Sequence, residues 1–238
     1  MELREKTRRY TPVLVSIVYM VYFYVFCILS YENGWLISTK DISFSNVGVG
    51  LINDLGSMWV LPFILLLVYR KRLGELGFRK SKVSVVLLLI YVLFFMLHGD
   101  YSIRGFYRAF FYLFIVALPE EIIYRGYVYN ELKKYGRVSA VIISGVVFGI
   151  IHAILPSVMA GDGIGFLVME MFNNIGFGIM ASFIFVYYLD KGKSIFVPVM
   201  VHALLDYSYG AWGIIVAVIT FGFLFVSNRN NEESVSVD

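Results

Sequence analysis

The stretch Ala109-Phe-Phe-Tyr-Leu-Phe-Ile-Val-Ala-Leu-Pro-Glu-Glu-Ile-Ile-Tyr-Arg125 places two adjacent carboxylates, Glu120 and Glu121, inside one of the most apolar segments of the chain. An ionised carboxylate near the centre of a bilayer costs several kcal/mol, so a residue of this kind is functional by default. Two adjacent carboxylates are harder still to explain as a structural feature. The role of this pair is therefore the main question that the sequence raises.

The composition is that of a polytopic membrane protein. The 238 residues are 59% hydrophobic and only 16% charged, whereas a soluble domain has about a quarter charged residues. The net charge of +3 does not indicate a nucleic-acid partner, because the basic residues fall in short clusters between apolar runs. Cys27 is the only cysteine, which excludes an intrachain disulfide and a cysteine metal cluster.

Apolar runs of about 20 residues, the length that crosses the hydrocarbon core, predict an all-α protein of eight transmembrane helices in a single domain, residues 1–238. The predicted spans are residues 11–31, 47–69, 83–98, 106–130, 138–155, 164–189, 194–209 and 211–227. Asn53 and Asp54 interrupt the second span and indicate an interfacial piece there. Residues 106–209 form the core that carries the polar motifs, and residues 228–238 are predicted to be a polar cytosolic tail.

The distribution of basic residues predicts the orientation. If both termini are cytosolic, the cytosolic segments hold sixteen of the 20 Lys and Arg residues, and the outer loops hold only Lys40 and Arg104. Cytosolic loops of membrane proteins carry an excess of Lys and Arg. We therefore expect cytosolic termini and a multi-pass protein in the plasma membrane of a prokaryote, in contact with membrane lipids.

The first polar cluster at membrane depth is Glu120-Glu121-x-x-x-Arg125. Glu121 and Arg125 have the i, i+4 spacing and the order that favour a helical ion pair. Glu120 then lies about 100° around the helix without a local partner, where it can act as a proton acceptor. The structural alternative is an ion pair beside a Glu120 that caps a neighbouring helix.

Two histidine patterns follow on later spans. Phe148 and His152 lie one turn apart on one face, although a lone histidine on an apolar helix is more often a satisfied core residue. His202 and Asp206 are spaced i, i+4, so the carboxylate can orient the imidazole. The alternative for this second pair is a hydrogen bond between helices, worth about 1 kcal/mol in membranes.

Depth in the bilayer indicates that these groups meet. At 1.5 Å per residue, Glu120, both histidines and Asp206 lie roughly 12–21 Å from the cytosolic ends of their predicted spans. All four side chains are therefore expected near mid-membrane, where they can line one cavity. A further group, Glu170 with Asn173 and Asn174, is expected to contact substrate or neighbouring helices rather than to carry out chemistry.

The order of these motifs resembles the CPBP family of intramembrane, metal-independent proteases, which contains type II CAAX prenyl endopeptidases and bacteriocin-processing or immunity proteins. The matching stretches are Glu120-Glu121-Ile-Ile-Tyr-Arg125, Phe148-Gly-Ile-Ile-His152 and His202-Ala-Leu-Leu-Asp206, with Lys193-Ser-Ile-Phe-Val-Pro198 before the last. The motifs cover residues 120–206. The first hundred residues match only as apolar spans and in the loop Leu73-Gly-Glu-Leu-Gly-Phe78.

The resemblance implies an endopeptidase without a cofactor that cleaves a peptide or a lipid-modified protein, and we expect this to occur from the cytosolic side. By the resemblance, Glu120 is the general base that deprotonates a water, and His152 helps to hold and polarise that water. His202 and Asp206 stabilise the oxyanion, an effect worth roughly 3–4 kcal/mol per donor.

The resemblance also assigns supporting residues. Glu121 and Arg125 brace the site, while Phe148, Asn173 and Asn174 support it or contact the substrate. Prenyl endopeptidases carry Asn where this chain has Asp206, although Asp occurs there in bacterial members. An ionised Asp206 would repel an oxyanion, so it is either protonated or acts by orienting its histidine neighbour.

Three other functions fit parts of the pattern. Two histidines and several carboxylates could hold zinc with an open coordination site, but the His-Glu-x-x-His motif of zinc peptidases does not occur. A non-enzymatic protein could bind a bacteriocin, as an immunity protein does, or a signalling partner. A proton-coupled transporter could use the buried Glu and His residues as a proton relay. The sequence does not define the oligomeric state.

Overall fold

The computed structural model describes residues 2–208 and 210–235, and within these ranges it is helical without any strand. The helices are α1 (Glu2–Glu32), α2 (Val47–Met58), α3 (Val60–Val68), α4 (Lys82–His98), α5 (residues 103–132), α6 (Arg137–His152), α7 (Ile154–Ala160), α8 (Gly163–Gly192), α9 (Phe196–Tyr207) and α10 (Trp212–Val235). The all-α prediction is confirmed for this part of the chain. Tyr209, the predicted end of the seventh span, and the last three residues of the tail lie outside the described residues.

Helices that are long and apolar enough to cross a membrane account for only part of the predicted eight spans. In the described chain these are Arg9–Glu32, Arg137–Ala160, Gly163–Gly192 and Trp212–Asn230. The α2–α3 pair, bent by 55°, provides a fifth if it is one span. Helices α4 and α9 have 17 and 12 residues, which is below the roughly 20 that a bilayer core requires. The structure supports a membrane protein, but the count of eight is not confirmed.

Helix α5 carries both central carboxylates and is not a regular α-helix. It consists of α-helical Ile103–Phe110, π-helical Phe111–Ala117, α-helical Leu118–Glu121, π-helical Ile122–Tyr129 and α-helical Asn130–Leu132. Pro119 has no backbone N–H to donate, so it interrupts the hydrogen-bond ladder directly beside the two carboxylates. Segments of π-helix are rare and are often found at functional sites.

Three glycines bring α6 and α8 into backbone contact. A Cβ atom added at Gly178 would overlap the backbone of both Gly145 and Gly149. Small residues spaced four apart allow helices in membranes to approach this closely, and α6 provides such a pair in Gly145-x-x-x-Gly149. This close crossing fixes the end of α6, where Phe148 and His152 lie.

The basic loops meet at one end of the molecule and hold the start of α9 in place. The backbone N–H of Ile195 donates to Gly77 O at 2.8 Å, and the Ser194 hydroxyl donates to Arg79 O at 2.6 Å. Arg137 and Asp190 form an ion pair at 2.9 Å in the same region. Because α9 begins at these contacts, they set the position of His202, which lies in this helix.

Candidate active site

The two adjacent carboxylates have different surroundings. Glu121 is completely buried, and its Oε1 lies 3.1 Å from Nη1 of Arg125, which is also completely buried. The guanidinium of Arg125 lies over the rings of Phe148 and Phe185, at 4.2 and 4.8 Å from their centroids, where cation–π attraction adds to the ion pair. The structure therefore contains the i, i+4 ion pair that the sequence predicts.

His202 joins this pair from α9. Its Nδ1 lies 3.0 Å from Oε1 of Glu121, and a carboxylate is an acceptor, so the ring nitrogen is assigned as the donor. Its Nε2 lies 3.5 Å from Oδ2 of Asp206. The sequence predicted Asp206 as the partner that orients this ring, whereas the short hydrogen bond is donated by the ring to Glu121. The ring also stacks on Phe185, with centroids 5.0 Å apart.

His152 is oriented by its own helix. Its Nδ1 lies 2.7 Å from the backbone carbonyl oxygen of Phe148, which can only accept, so Nδ1 carries the proton. The lone pair of Nε2 is then directed elsewhere, and this atom lies 3.9 Å from Oε2 of Glu120. The ring of Phe148 packs edge-on against His152, with centroids 4.3 Å apart. Phe148 thus contacts both His152 and the guanidinium of Arg125.

Like Glu121, Glu120 has a buried oxygen without a hydrogen-bond partner among the described residues. The residue is 8% exposed, and its Oε2 is buried with no hydrogen-bond partner among the residues that the structure describes. This oxygen lies 3.7 Å from Nε2 of His202 and 3.9 Å from Nε2 of His152. No hydrogen bond from Glu120 to a helix end occurs in the described chain, so the structural alternative of helix capping gains no support.

Asn173 and Asn174 are not brought to this group. The side-chain amide of Asn173 donates to Oε1 of Glu170 at 3.0 Å, and that of Asn174 donates to the Glu170 carbonyl oxygen at 2.9 Å. These bonds lie within α8. Contact of the two amides with a substrate stays a prediction.

A cavity of about 320 Å³ extends from Glu120 and His152 between α1, α2, α5 and the junction of α6 with α7. Ligand sites in proteins commonly begin at this size and are mainly apolar. The wall is largely aromatic and aliphatic, with side chains such as Phe23, Met58 and Phe111. Glu120 therefore faces a space that can hold apolar groups of a substrate.

The wall of the cavity contains two polar residues for which the sequence predicted no part in the site. Asn53 and Asp54 of α2 line it, and Asp54 accepts a hydrogen bond from the Tyr107 hydroxyl at 2.5 Å. Asn53 is 4% exposed, and its Oδ1 has no partner among the described residues. In the sequence these two residues stand out only because they interrupt the second apolar run. The fold shows that they line the same cavity as Glu120.

Residues 102–208 match the family model for Rce1-like, type II CAAX prenyl endopeptidases. This segment belongs to the Rce1-like family. The match contains each of the six residues proposed for catalysis and confirms the resemblance to the CPBP and CAAX proteases. No curated protein and no solved structure gives a significant match to the chain. The Rce1-like segment excludes α1 and α2, which form one side of the cavity.

Metal coordination is another chemistry that two histidines and several carboxylates could support. In the part of the chain that the structure describes, no group of three or more His, Cys, Asp or Glu side chains is spaced to hold one metal ion. The atoms around Glu120 instead form contacts of 3.5–3.9 Å between imidazole nitrogens and carboxylate oxygens.

Proposed function

We propose that this Rce1-like protein is an intramembrane endopeptidase in which Glu120 activates a water molecule without a metal ion. The observation that carries the proposal is the buried Oε2 of Glu120, which has no hydrogen bond and faces Nε2 of both His152 and His202. A general base must have a free oxygen within reach of the attacking water. Here that oxygen borders an apolar cavity, where a peptide can displace bulk water.

In the proposed reaction, Glu120 takes a proton from water as the water oxygen bonds to the carbonyl carbon of the substrate. His152 can accept a hydrogen bond from the same water, because Nδ1 is occupied by Phe148 O and Nε2 has the lone pair. Collapse of the tetrahedral intermediate breaks the C–N bond, and Glu120 returns the proton to the leaving nitrogen. One water is consumed, and the two products are a carboxylate and an amine.

His202 is proposed to stabilise the oxyanion of the intermediate. A carboxylate faces each of its ring nitrogens, Glu121 at Nδ1 and Asp206 at Nε2, and in such a setting both nitrogens can act as donors. A donor aimed at a developing oxyanion contributes roughly 3–4 kcal/mol to catalysis. Asp206 is proposed to hold the ring and not to contact the oxyanion itself.

We also propose eight crossings, both termini in the cytosol and a prokaryotic plasma membrane. Eight helical units follow one another if α2–α3 and α6–α7 are each one unit. The basic loops then lie together at one end, in agreement with the excess of Lys and Arg in cytosolic loops. Helix α9 is short, but most of its residues are buried, so surrounding helices can shield it from lipid.

The decisive test is cleavage by protein purified in the presence of a chelator. A quenched-fluorescent S-farnesyl CAAX peptide and unprenylated apolar peptides are offered to the wild type and to Glu120→Gln. Glu131→Gln is the matched control, because Glu131 lies on the same helix and pairs with Lys134 at the surface. Cleavage by the wild type and the control, with loss in Glu120→Gln, supports the proposal.

Three results would overturn it. Cleavage that survives in Glu120→Gln would exclude this residue as the base. Loss of wild-type cleavage with the chelator, restored by Zn²⁺, would establish a metal enzyme instead. If the protein instead protects cells against a bacteriocin and Glu120→Gln protects equally well, the protein is a binding protein and not a peptidase.

A further inference from the structure

We propose that a basin among the basic loops binds the phosphate group of an anionic phospholipid. The basin lies between the loop after α3, the end of α5 and the junction of α8 with α9, and it shares no lining residue with the cavity beside Glu120. The inference does not depend on the peptidase function. The observations that carry it are the shape of the basin, three cations without a counter-charge and the backbone conformation of one of them.

The basin has a volume of about 580 Å³, and its lining is mainly polar. Its residues come from three segments, within the ranges 72–79, 130–134 and 189–193. These are the loop between α3 and α4, the end of α5 with the residues after it, and the end of α8 with the residue after it. The five cations of the lining are Arg72, Arg79, Lys133, Lys134 and Lys193. The fold thus brings cations from distant parts of the sequence to one concave surface.

Three carboxylates also line the basin, and each of them has a cationic partner. The pairs are Glu75–Arg72 at 3.4 Å, Glu131–Lys134 at 2.7 Å and Asp190–Arg137 at 2.9 Å. This pairing leaves Arg79, Lys133 and Lys193 without an ion pair in the part of the chain that the structure describes. Like charges that line one concave surface repel one another, and a bound anion would remove this repulsion.

Lys133 is held in position for such an anion. Its ammonium donates to Oδ1 of Asn130 at 2.5 Å, and the amide of Asn130 donates to Glu75 O at 3.1 Å. An ammonium has three donors, so two remain for a ligand. Burial lowers the pKa of Lys133, Asp190 partly offsets this effect, and the nearby charge of Arg79 lowers the pKa further. An anion between these cations would stabilise the charged lysine.

Lys193 has an unusual backbone conformation. It directly follows the last residue of α8, and its φ of 54° makes it the only non-glycine residue with a positive φ among those that the structure describes. Glycine is the usual residue at such a position, because a Cβ atom crowds the neighbouring backbone there. Strained residues of this kind cluster at functional sites. Since the side chain of Lys193 lines the basin, a ligand in the basin accounts for a lysine at this position.

The surroundings of the basin favour a phospholipid as the source of the phosphate. A guanidinium can donate two parallel hydrogen bonds to phosphate oxygens, and a lysine binds phosphate as a point charge. Basic pockets between transmembrane helices bind phospholipid head groups. Leu73 and Phe196 are exposed, and each lies within three residues of a lining residue in the sequence. A lipid can place its phosphate on the cations and its chains along these apolar side chains.

A phosphate in the basin would strengthen the junction at which α9 begins. The Ser194 hydroxyl donates to Arg79 O at 2.6 Å, and the backbone N–H of Ile195 donates to Gly77 O at 2.8 Å. Arg79 and Lys193 flank these contacts in the sequence. A phosphate that bridges their side chains would add a link between the loop after α3 and the junction of α8 with α9. We therefore expect the bound lipid to raise thermal stability.

Binding is tested with the full chain in dodecyl maltoside. The probes are phosphatidylglycerol, phosphatidylcholine and inorganic phosphate, offered at equal ionic strength. The readouts are the thermal unfolding midpoint and the lipid that stays bound in native mass spectrometry. We expect phosphatidylglycerol to stay bound and to raise the midpoint more than either of the other probes. An equal effect of phosphatidylcholine would overturn the requirement for an anion, and an equal effect of inorganic phosphate would overturn the assignment to a lipid.

Arg79→Gln and Lys133→Gln test the position of the site. Each variant should weaken the binding of phosphatidylglycerol by roughly fivefold, as expected for the loss of one positive charge near the lipid phosphate. Lys71→Gln is the matched control, because Lys71 is an exposed cation of the same basic loop and is not a lining residue. Equal weakening in all three variants would show a diffuse attraction of lipid to the basic loops and would overturn the site.

Lys193→Gly separates a role in binding from a role in the fold. Glycine adopts the left-handed conformation without strain, so the lipid-free unfolding midpoint should stay equal or rise while the binding of phosphatidylglycerol weakens. The alternative is a lysine that only offsets the negative end of the α8 dipole. In that case the variant would lower the lipid-free midpoint and bind lipid normally, which would remove Lys193 from the site. Lys193→Gln keeps the strained backbone and should weaken binding without raising the midpoint. None of these measurements requires cleavage, so failure of this proposal is distinct from failure of the peptidase function.

Discussion

Oε1 of Glu121 lies 3.0 Å from Nδ1 of His202, although the two residues are 81 positions apart in the sequence. The same oxygen is 3.1 Å from Nη1 of Arg125. One buried carboxylate oxygen thus joins the helical ion pair of α5 to the histidine of α9. This contact distinguishes the two adjacent glutamates, because Glu121 is engaged by Arg125 and His202 whereas Glu120 lines the cavity. We therefore propose a bracing role for Glu121 and a catalytic role for Glu120.

Glu121→Gln should destabilise the fold. The variant leaves the completely buried Arg125 without its counter-charge, and removal of one partner from a buried ion pair costs about 3–5 kcal/mol. The thermal unfolding midpoint in detergent should fall clearly. Glu131→Gln is the control, because its surface pair with Lys134 is worth at most about 1 kcal/mol. Equal midpoints for the two variants would contradict the bracing role.

Glu120→Gln should leave the stability of the fold nearly unchanged and lower the rate of cleavage. Its Oε2 makes no hydrogen bond to the described residues, so an isosteric amide should leave the unfolding midpoint close to that of the wild type. Loss of the general base should lower the rate of peptide cleavage by about 10²–10⁴-fold. The rate is measured at saturating substrate. A large fall in stability without a fall in rate would reverse the roles assigned to the two glutamates.

The local parts of the site could be predicted from the sequence, and its long-range contacts could not. The pairing of Glu121 with Arg125 follows from helical spacing alone, and the structure contains it. Contact of Glu121 with His202 depends on how α5 packs against α9. The spacing of residues along the sequence does not predict how two distant helices pack. For the same reason, Asp206 was assigned the orienting role, and the position of Asn53 beside the cavity was not foreseen.

The predicted number of spans shows a second limit of the sequence. Hydropathy detects apolar runs, but it does not show that α9 stops after 12 residues or that the second span bends by 55°. A helix that is enclosed by other helices need not match the bilayer thickness. Apolar composition therefore predicted the membrane class, while the length of each crossing depends on the packing.

Gly178→Ala should destabilise the crossing of α6 and α8. The added methyl group would overlap the backbone of Gly149, and overpacking of this kind typically costs about 1–3 kcal/mol. Gly176→Ala is a matched control on the same helix, because a Cβ there meets nothing within 4 Å. The unfolding midpoint should fall only for Gly178→Ala. Since this crossing positions His152, cleavage should fall with it, and an unaffected midpoint would contradict the close approach.

Asp206→Asn separates an orienting role from a role in proton transfer. The carboxylate of Asp206 lies 3.5 Å from Nε2 of His202, while Glu121 holds Nδ1 at 3.0 Å. An asparagine retains an oxygen that can accept from Nε2, and it is the residue that the prenyl endopeptidases carry. We therefore expect cleavage within about tenfold of the wild type, a change of at most about 1.4 kcal/mol in the barrier. Asp206→Leu, which removes the acceptor, should cost more than the asparagine. If Asp206→Asn unfolds like the wild type and yet abolishes cleavage, Asp206 itself must take part in proton transfer, because its amide preserves the shape and the acceptor and removes only the carboxylate.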